Sequence, residues 1–239
     1  MDNLDIGIVG AGYVGGTLAR KLAAVGHRVR IANSKDPSTL TEYESEEGIT
    51  AMWASEAIDG VDIAILSVPQ IAITKFSDSL KSLLSSVPIV IDTGNYYPVR
   101  DGRIAALDDG LPDSEWVASL LGRPVFKAFN NMTAPSLKHK GTTEKEGRLA
   151  LAVAGPATDD KQKVFSLVDQ LGFDPIDGGE LAQSWRQQPG TPVYCQDLDA
   201  EDMRAGLLET DRSKFAEYCE NRDSVKDFDA AMKTMGQYM

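Results

Sequence analysis

Gly10-Ala11-Gly12-Tyr13-Val14-Gly15 constrains this chain more than any other stretch. It fits G-x-G-x-x-G, directly follows the apolar run DIGIV (5–9), and directly opens the Ala/Leu-rich run GGTLARKLAAVG (15–26). Three glycines can align by chance. Between a strand and a helix of one βαβ unit they acquire a mechanical meaning. Gly10 permits a tight turn, Gly12 lets backbone N–H groups approach a pyrophosphate, and Gly15 lets helix and strand pack closely. The helix N-terminus adds unpaired donors and a partial positive charge. A turn that only reverses the chain does not need all three. The segment predicts a dinucleotide site with Gly10, Gly12, Tyr13, Val14 and Gly15 at its floor.

The rest of the chain repeats the alternation. Strand-like runs follow at 27–32, 49–52, 61–68, 88–93, 124–130, 149–155 and 173–177, and helical stretches fall between them. The helices are expected over 37–47, near 54–58, and over 71–85, 116–121 and 158–171. Near-continuous apolar strands of four to eight residues mark a parallel sheet covered on both faces. The fold class is therefore α/β, a doubly wound parallel sheet of the Rossmann NAD(P)-binding type. After Gly179 the strand signals fade, and helices are expected over 199–220 and 224–236. That division gives a dinucleotide-binding domain over 1–180 and a small, mostly helical C-terminal region over 181–239.

Composition narrows the partners. A net charge of −12 over 239 residues argues against nucleic acid and anionic membranes. No apolar run approaches the ~20 residues needed to span a bilayer, and the first residues, MDNLDIGIVG, lack a basic leader. A soluble, cytoplasmic protein is expected. Two cysteines (Cys195, Cys219) and two histidines (His27, His139) are too few for a disulfide framework or a metal site, so no metal is expected. The charge is uneven: residues 1–35 hold five bases against two acids, which suits an anionic cofactor at that end.

The nature of that cofactor is written just after the second strand. NAD-preferring sites place a carboxylate there for the ribose 2′-hydroxyl, whereas this chain has Asn33, Ser34 and Lys35. Asn33 removes the repulsion a carboxylate would exert on a 2′-phosphate, Ser34 offers a hydroxyl, and Lys35 adds a positive charge. The expected cofactor is NADP(H). In open parallel sheets the ligand crevice lies outside the carboxyl ends of the strands. Ser67, Val68 and Pro69 follow one such strand, Gly94 and Asn95 another, and Asn130, Asn131 and Met132 a third. Asn130 and Asn131 are candidates for holding the nicotinamide carboxamide or the substrate. Trp185 and Arg186, with Gln187, are candidates for lining the substrate side.

IGIVGAGYVGGTLARKLAAVGHRVRIANS, AILSVP, VIDTGNYY and VFKAFNN, in this order, resemble the coenzyme F420-dependent NADP oxidoreductase family over roughly residues 5–180. The same nucleotide-binding module resembles the reductase domain of six-transmembrane metalloreductases. The resemblance implies that Gly10 to Gly15, Ser34, Lys35, Val68 and Pro69 contact NADP. It also implies homodimers, and a C-terminal region that closes the substrate cleft. The family usually has Arg where this chain has Lys35, and SWRQQPGTPVYCQDL (184–198) departs from the family pattern. The expected activity is hydride transfer between NADP(H) and a flavin- or deazaflavin-like acceptor, which requires little acid–base machinery. Two alternatives stay open: reduction of a small carbonyl or imine, with Lys138, His139 or Tyr194 as proton donor, and a non-catalytic NADP(H) sensor that binds a protein partner.

Overall fold

The computed structural model of the chain describes residues 3–239. Its strands are β1 (Asp5–Val9), β2 (Arg28–Ala32), β3 (Ile49–Ala51), β4 (Ile63–Leu66), β5 (Ile89–Asp92), β6 (Phe126–Lys127), β7 (Ala150–Val153) and β8 (Asp174–Asp177). The helices run from α1 (Tyr13–Ala24) through α2 (Ala54–Ile58), α3 (Gln70–Ile73), α4 (Asp78–Ser86), α5 (Pro98–Asp101) and α6 (Ala105–Asp108). They continue with α7 (Asp113–Leu121), α8 (Ala134–His139), α9 (Asp159–Gln170), α10 (Ala200–Glu209), α11 (Phe215–Asp223) and α12 (Phe228–Gly236). Six strands form one parallel sheet in the order β3-β2-β1-β4-β5-β6, wound in both directions from β1.

Side-chain alternation explains why this sheet is covered twice. Ile6, Ile8, Ile63, Ile65, Ile89 and Ile91 face one layer, packed with Leu18 and Leu22 of α1. Val9, Ala64, Leu66 and Val90 face the other, with Ile58, Leu80, Leu84 and Val117. Both faces of the central strands β1, β4 and β5 are largely apolar, as a buried parallel sheet requires, while β2 nearer the edge alternates Arg28 and Arg30 with Val29 and Ile31. The register aligns Val9 with Leu66, Leu66 with Asp92, and Asp92 with Lys127. The residues that follow therefore emerge together at one edge: Ser67 N–H donates to Val9 O (2.8 Å) and Thr93 N–H to Leu66 O (3.0 Å).

Several local expectations change. β7 and β8 do not extend the sheet; they pair with each other, joined to β6 by an antiparallel bridge between Lys127 and Ala154. Their outer face shares a core with Val193, Met203 and Leu207 of the C-terminal region. The helix expected over 37–47 is two short 3-10 turns, Pro37–Thr39 and Thr41–Tyr43, although Asp36 does cap the first by accepting from Ser38 N–H (2.9 Å). The stretch expected as one helix over 71–85 breaks into α3 and α4 because Ser77 caps a new start, accepting from Leu80 N–H. The long helix expected over 199–220 breaks after Glu209, where Asp211 caps the turn leading into α11. In each case a short polar side chain competes locally for backbone donors and restarts the helix.

Candidate functional site

The turn between β1 and α1 shows what each glycine does. Gly10 has φ +115°, and a Cβ there would lie 2.0 Å from Ser67 O. A Cβ on Gly15 would lie 1.9 Å from Gly10 O. Gly12 differs: nothing lies within 4 Å of the position its Cβ would take. The first two glycines are required by the protein's own packing, and the third leaves open space beside the N-terminus of α1. That terminus has no side-chain cap and no acid in its first turn, so the donors at Tyr13 and Val14 face outward with their dipole uncompensated.

Beside this turn lies a cavity of about 470 Å³. Its floor is made by Gly12, Tyr13 and Val14, then Ser67, Val68 and Pro69 after β4, and Thr93, Gly94 and Asn95 after β5. Phe129, Asn130, Met132 and Thr133 after β6 continue it. The opposite wall comes from the C-terminal region: Tyr194 and Cys195, then Val225 before α12 and Phe228, Ala231, Met232 and Met235 along it. The residues expected from the sequence after β4, β5 and β6 are thus brought together, apart from Asn131.

Buried polar groups hold the turn after β5. Asp92 accepts from Gly94 N–H (2.9 Å) and from the Ser114 hydroxyl (2.6 Å). Lys127, fully buried, donates to Gly94 O (2.5 Å) with its ammonium 3.6 Å from Asp92. Asp113 accepts from Tyr96 N–H (2.9 Å) and from the Gln188 amide, and burial pushes its carboxyl above the usual carboxylate range. These contacts set the backbone from Thr93 to Tyr97 against the cavity without exposing a charge to it.

Asn33, Ser34 and Lys35 stand apart, at the end of β2. The Asn33 side chain accepts from Lys35 N–H (2.8 Å) and donates to Thr39 Oγ1 (3.0 Å), an Asx turn that leaves Ser34 and Lys35 exposed. The neighbouring carboxylate, Asp36, is held at its cap, and the hydrogen bonds from Ser38 keep it below the usual range.

Other expectations are corrected. The Asn130 amide is not available to a ligand: it donates to Asn95 Oδ1 (3.1 Å) and Gln187 O (2.7 Å) and accepts from Gln187 Nε2 (2.8 Å). Asn131 is buried with its amide 3.7 Å from the Met203 sulfur, turned toward the C-terminal core. Trp185 and Arg186 do not line the cavity; the guanidinium groups of Arg186 and Arg212 lie 5.2 and 5.0 Å from the Trp185 ring. Gln187 is buried as the partner of Asn130. Lys138 lines a separate cleft with Arg20 and Met239, and His139 bonds the Tyr238 carbonyl (3.1 Å).

Sequence reasoning expected a helix over 224–236 but did not single out Tyr97, Arg100, Cys195 or the apolar residues of α12 as cavity lining. The wall had a readable signal, because Val225, Phe228, Met232 and Met235 recur at helical spacing. Tyr97 and Tyr194 had none that points to a pair, yet their hydroxyls meet at 2.9 Å. Burial pushes the Tyr97 hydroxyl up to about 12, the Cys195 thiol up to about 12, and the Tyr194 hydroxyl well above its ordinary value. All three stay protonated near neutral pH. Phe129 (φ +61°), Cys195 (φ +57°) and Asp197 (φ +52°) are the non-glycine residues held in the left-handed region among the described residues, and two of them line the cavity. Such strain concentrates at functional sites.

Residues 5–96 match the family described as NADP oxidoreductase, coenzyme F420-dependent. A hypothetical protein from Sinorhizobium meliloti, SMa0349, is 30% identical, with 83% of this chain and 95% of that chain covered and a TM-score of 0.69. This chain belongs to that NADP oxidoreductase family. The Escherichia coli (strain K12) protein YjhV is 42% identical over 85 residues, which are 36% of this chain and 56% of YjhV. A structure named as a candidate F420-dependent NADP reductase from Arthrobacter sp. FB24 shares the fold, with 22% identity, 77% and 88% of the two chains covered, and a TM-score of 0.65.

Members of the family are NADP-dependent oxidoreductases, and NADP(H) is the cofactor of this chain. The residues present fit it. The open space at Gly12 has room for a pyrophosphate beside the α1 N-terminus, and at the end of β2 the neutral Asn33, not a carboxylate, stands beside Ser34 and Lys35. Among the described residues no group of three metal-ligating side chains occurs, and no helix is long and apolar enough to cross a membrane.

Proposed function

We propose that this protein transfers hydride between NADP(H) and a planar conjugated acceptor of the flavin or deazaflavin type. One observation carries the reading: a single cavity joins the strand-end turns to an apolar wall of Met132, Phe228, Met232 and Met235. Methionine and phenylalanine offer polarizable, adaptable contact to a flat ring and no competing charge. In this reading the Tyr13 and Val14 amides bind the pyrophosphate and Ser34 and Lys35 the 2′-phosphate, while Val68, Pro69 and Gly94 pack against the ribose on the nicotinamide side. Bound NADPH supplies a hydride; the chain's own part is to hold two rings in contact and to exclude water.

A second reading, reduction of a small carbonyl or imine, is favoured by the Tyr97–Tyr194 hydroxyls in the same wall. Mixing the protein with NADPH and a panel of flavins, deazaflavins, quinones, carbonyls and cyclic imines, and following loss of reduced-nicotinamide absorbance, separates the two. Turnover with a ring acceptor is the expected result, and turnover only with carbonyls or imines supports the second reading. Tight NADPH binding without turnover on any acceptor overturns both and leaves a sensor.

A further inference from the structure

Three distant segments converge on one point of the cavity wall. Tyr97 comes from the turn after β5, Tyr194 from the loop before α10, and Phe228 from α12. The Tyr97 ring lies 5.1 Å from the Phe228 ring, and the Arg100 guanidinium sits 4.8 Å from the Phe228 centroid. The turn that presents Tyr194 is fixed from beneath, where Cys195 N–H donates to Asn131 O (2.9 Å) with Cys195 in the left-handed region.

We infer that the Tyr97–Tyr194 hydroxyl pair is the polar grip on the hydride acceptor, donating a hydrogen bond to the acceptor oxygen or nitrogen on which negative charge gathers. This rests on the cavity being the hydride-transfer site proposed above. Apart from Tyr13 and Ser67 on the floor beside the glycine turn, the other polar side chains lining the cavity are already engaged. Arg100 bonds Asp101 (2.8 Å) and Asn95 O (2.5 Å), and Asn95 and Asn130 bond each other. The Thr133 hydroxyl donates to Ser136 Oγ (2.9 Å). The tyrosine pair has two hydroxyl protons and one mutual bond, in which Tyr97 donates to Tyr194. The Tyr194 proton is left to give, and its internal competitor is the Cys195 sulfur, a weak acceptor. Burial keeps both hydroxyls protonated, so the pair donates.

A hydride delivered from the reduced nicotinamide carries an electron pair onto the acceptor's conjugated heteroatom. In a flavin or deazaflavin that charge is met by the Tyr194 O–H, a donor oriented before the reaction begins. In a carbonyl or imine the Tyr194 proton moves to the oxygen or nitrogen, the Tyr97 proton shifts to Tyr194, and water reprotonates Tyr97. One hydride and one proton then account for the reduced product.

The test uses Tyr194→Phe and Tyr97→Phe, each of which removes a single oxygen, with circular dichroism melts to verify folding. NADPH affinity is read by nicotinamide fluorescence. Riboflavin, and separately a cyclic imine, are titrated in the presence of NADP+, and kcat is measured on whichever acceptor turns over. The expected result is NADPH affinity within about twofold of wild type for both variants. For Tyr194→Phe, affinity for the accepted probe falls about tenfold and kcat about a hundredfold, with the double variant no worse. Unchanged probe affinity and kcat overturn the inference, as does a wild-type protein that binds NADPH but neither probe. Failure to bind NADPH instead overturns the functional reading beneath it.

Discussion

At the scale of single residues, the three glycines of one motif make opposite predictions. Gly12→Ala meets no atom within 4 Å, so its melting temperature should stay within a degree or two of wild type. Its NADPH affinity should fall by about tenfold or more, because the added methyl occupies the space beside the α1 donors. Gly10→Ala and Gly15→Ala would bring a methyl to 2.0 Å of Ser67 O and 1.9 Å of Gly10 O, and each should cost roughly 3 kcal/mol or more of stability. Thermal melts paired with NADPH titrations check all three; a destabilised Gly12→Ala would sink the distinction. Lys35→Asp belongs to the same scale. It replaces attraction by repulsion at an exposed turn, and should lower NADPH affinity relative to NADH by about tenfold. The glycine turn and the Asn33-Ser34-Lys35 turn were legible because each is contiguous and its chemistry is local. Asn130 was legible as a strand-end amide, but that it bonds Asn95 and Gln187 was not.

At the scale of elements, α12 differs from the rest of the fold. No residue of it is buried, although Phe228, Met232 and Met235 line the cavity. Its attachment beyond Phe228 includes His139 against the Tyr238 carbonyl and Gly236 against the Tyr13 ring. A helix held this way opens at lower free energy than the sheet beneath it. Ending the chain after Ser224 should lower the melting temperature by less than about 5 °C while raising the acceptor KM about tenfold or more. A truncated chain that no longer folds would make α12 part of the core. The sequence announced α1 through helical spacing and the stop at Gly26, and it placed helices over the stretches that hold α9 and α12. It misjudged 37–47, 71–85 and 199–220, where Asp36, Ser77 and Asp211 cap new turns. Periodicity averages over about a dozen residues, and one capping side chain acts over three.

At the scale of the whole molecule, ion pairs tie segments together and give stability a defined pH dependence. Hydrogen bonds from Lys145 and Arg148 hold the Asp169 carboxyl below its ordinary value of 3.8, and Arg28 does the same for Asp5. A carboxyl depressed in the folded chain contributes stability above the unfolded value and loses it as pH falls through the folded value. Asp113, raised by burial, has the opposite sign: its contribution is present below 3.8 and lost as pH rises through its folded value. Urea denaturation at pH 6, 4 and 3 should therefore show stability falling below about pH 4, and Asp169→Asn should flatten that fall. An unchanged slope in the variant would remove Asp169 from the account. The sequence by itself determined the parallel sheet and the glycine turn that follows its first strand, because side-chain alternation and the glycine motif act between near neighbours. Only the tertiary structure decided which residues face the strand ends across the cavity. Tyr97 and Tyr194 lie 97 residues apart and meet because the chain turns back at Cys195 and Asp197 through left-handed conformations without a glycine to mark them. Contacts at that separation depend on the path of the whole backbone, and no local pattern encodes them.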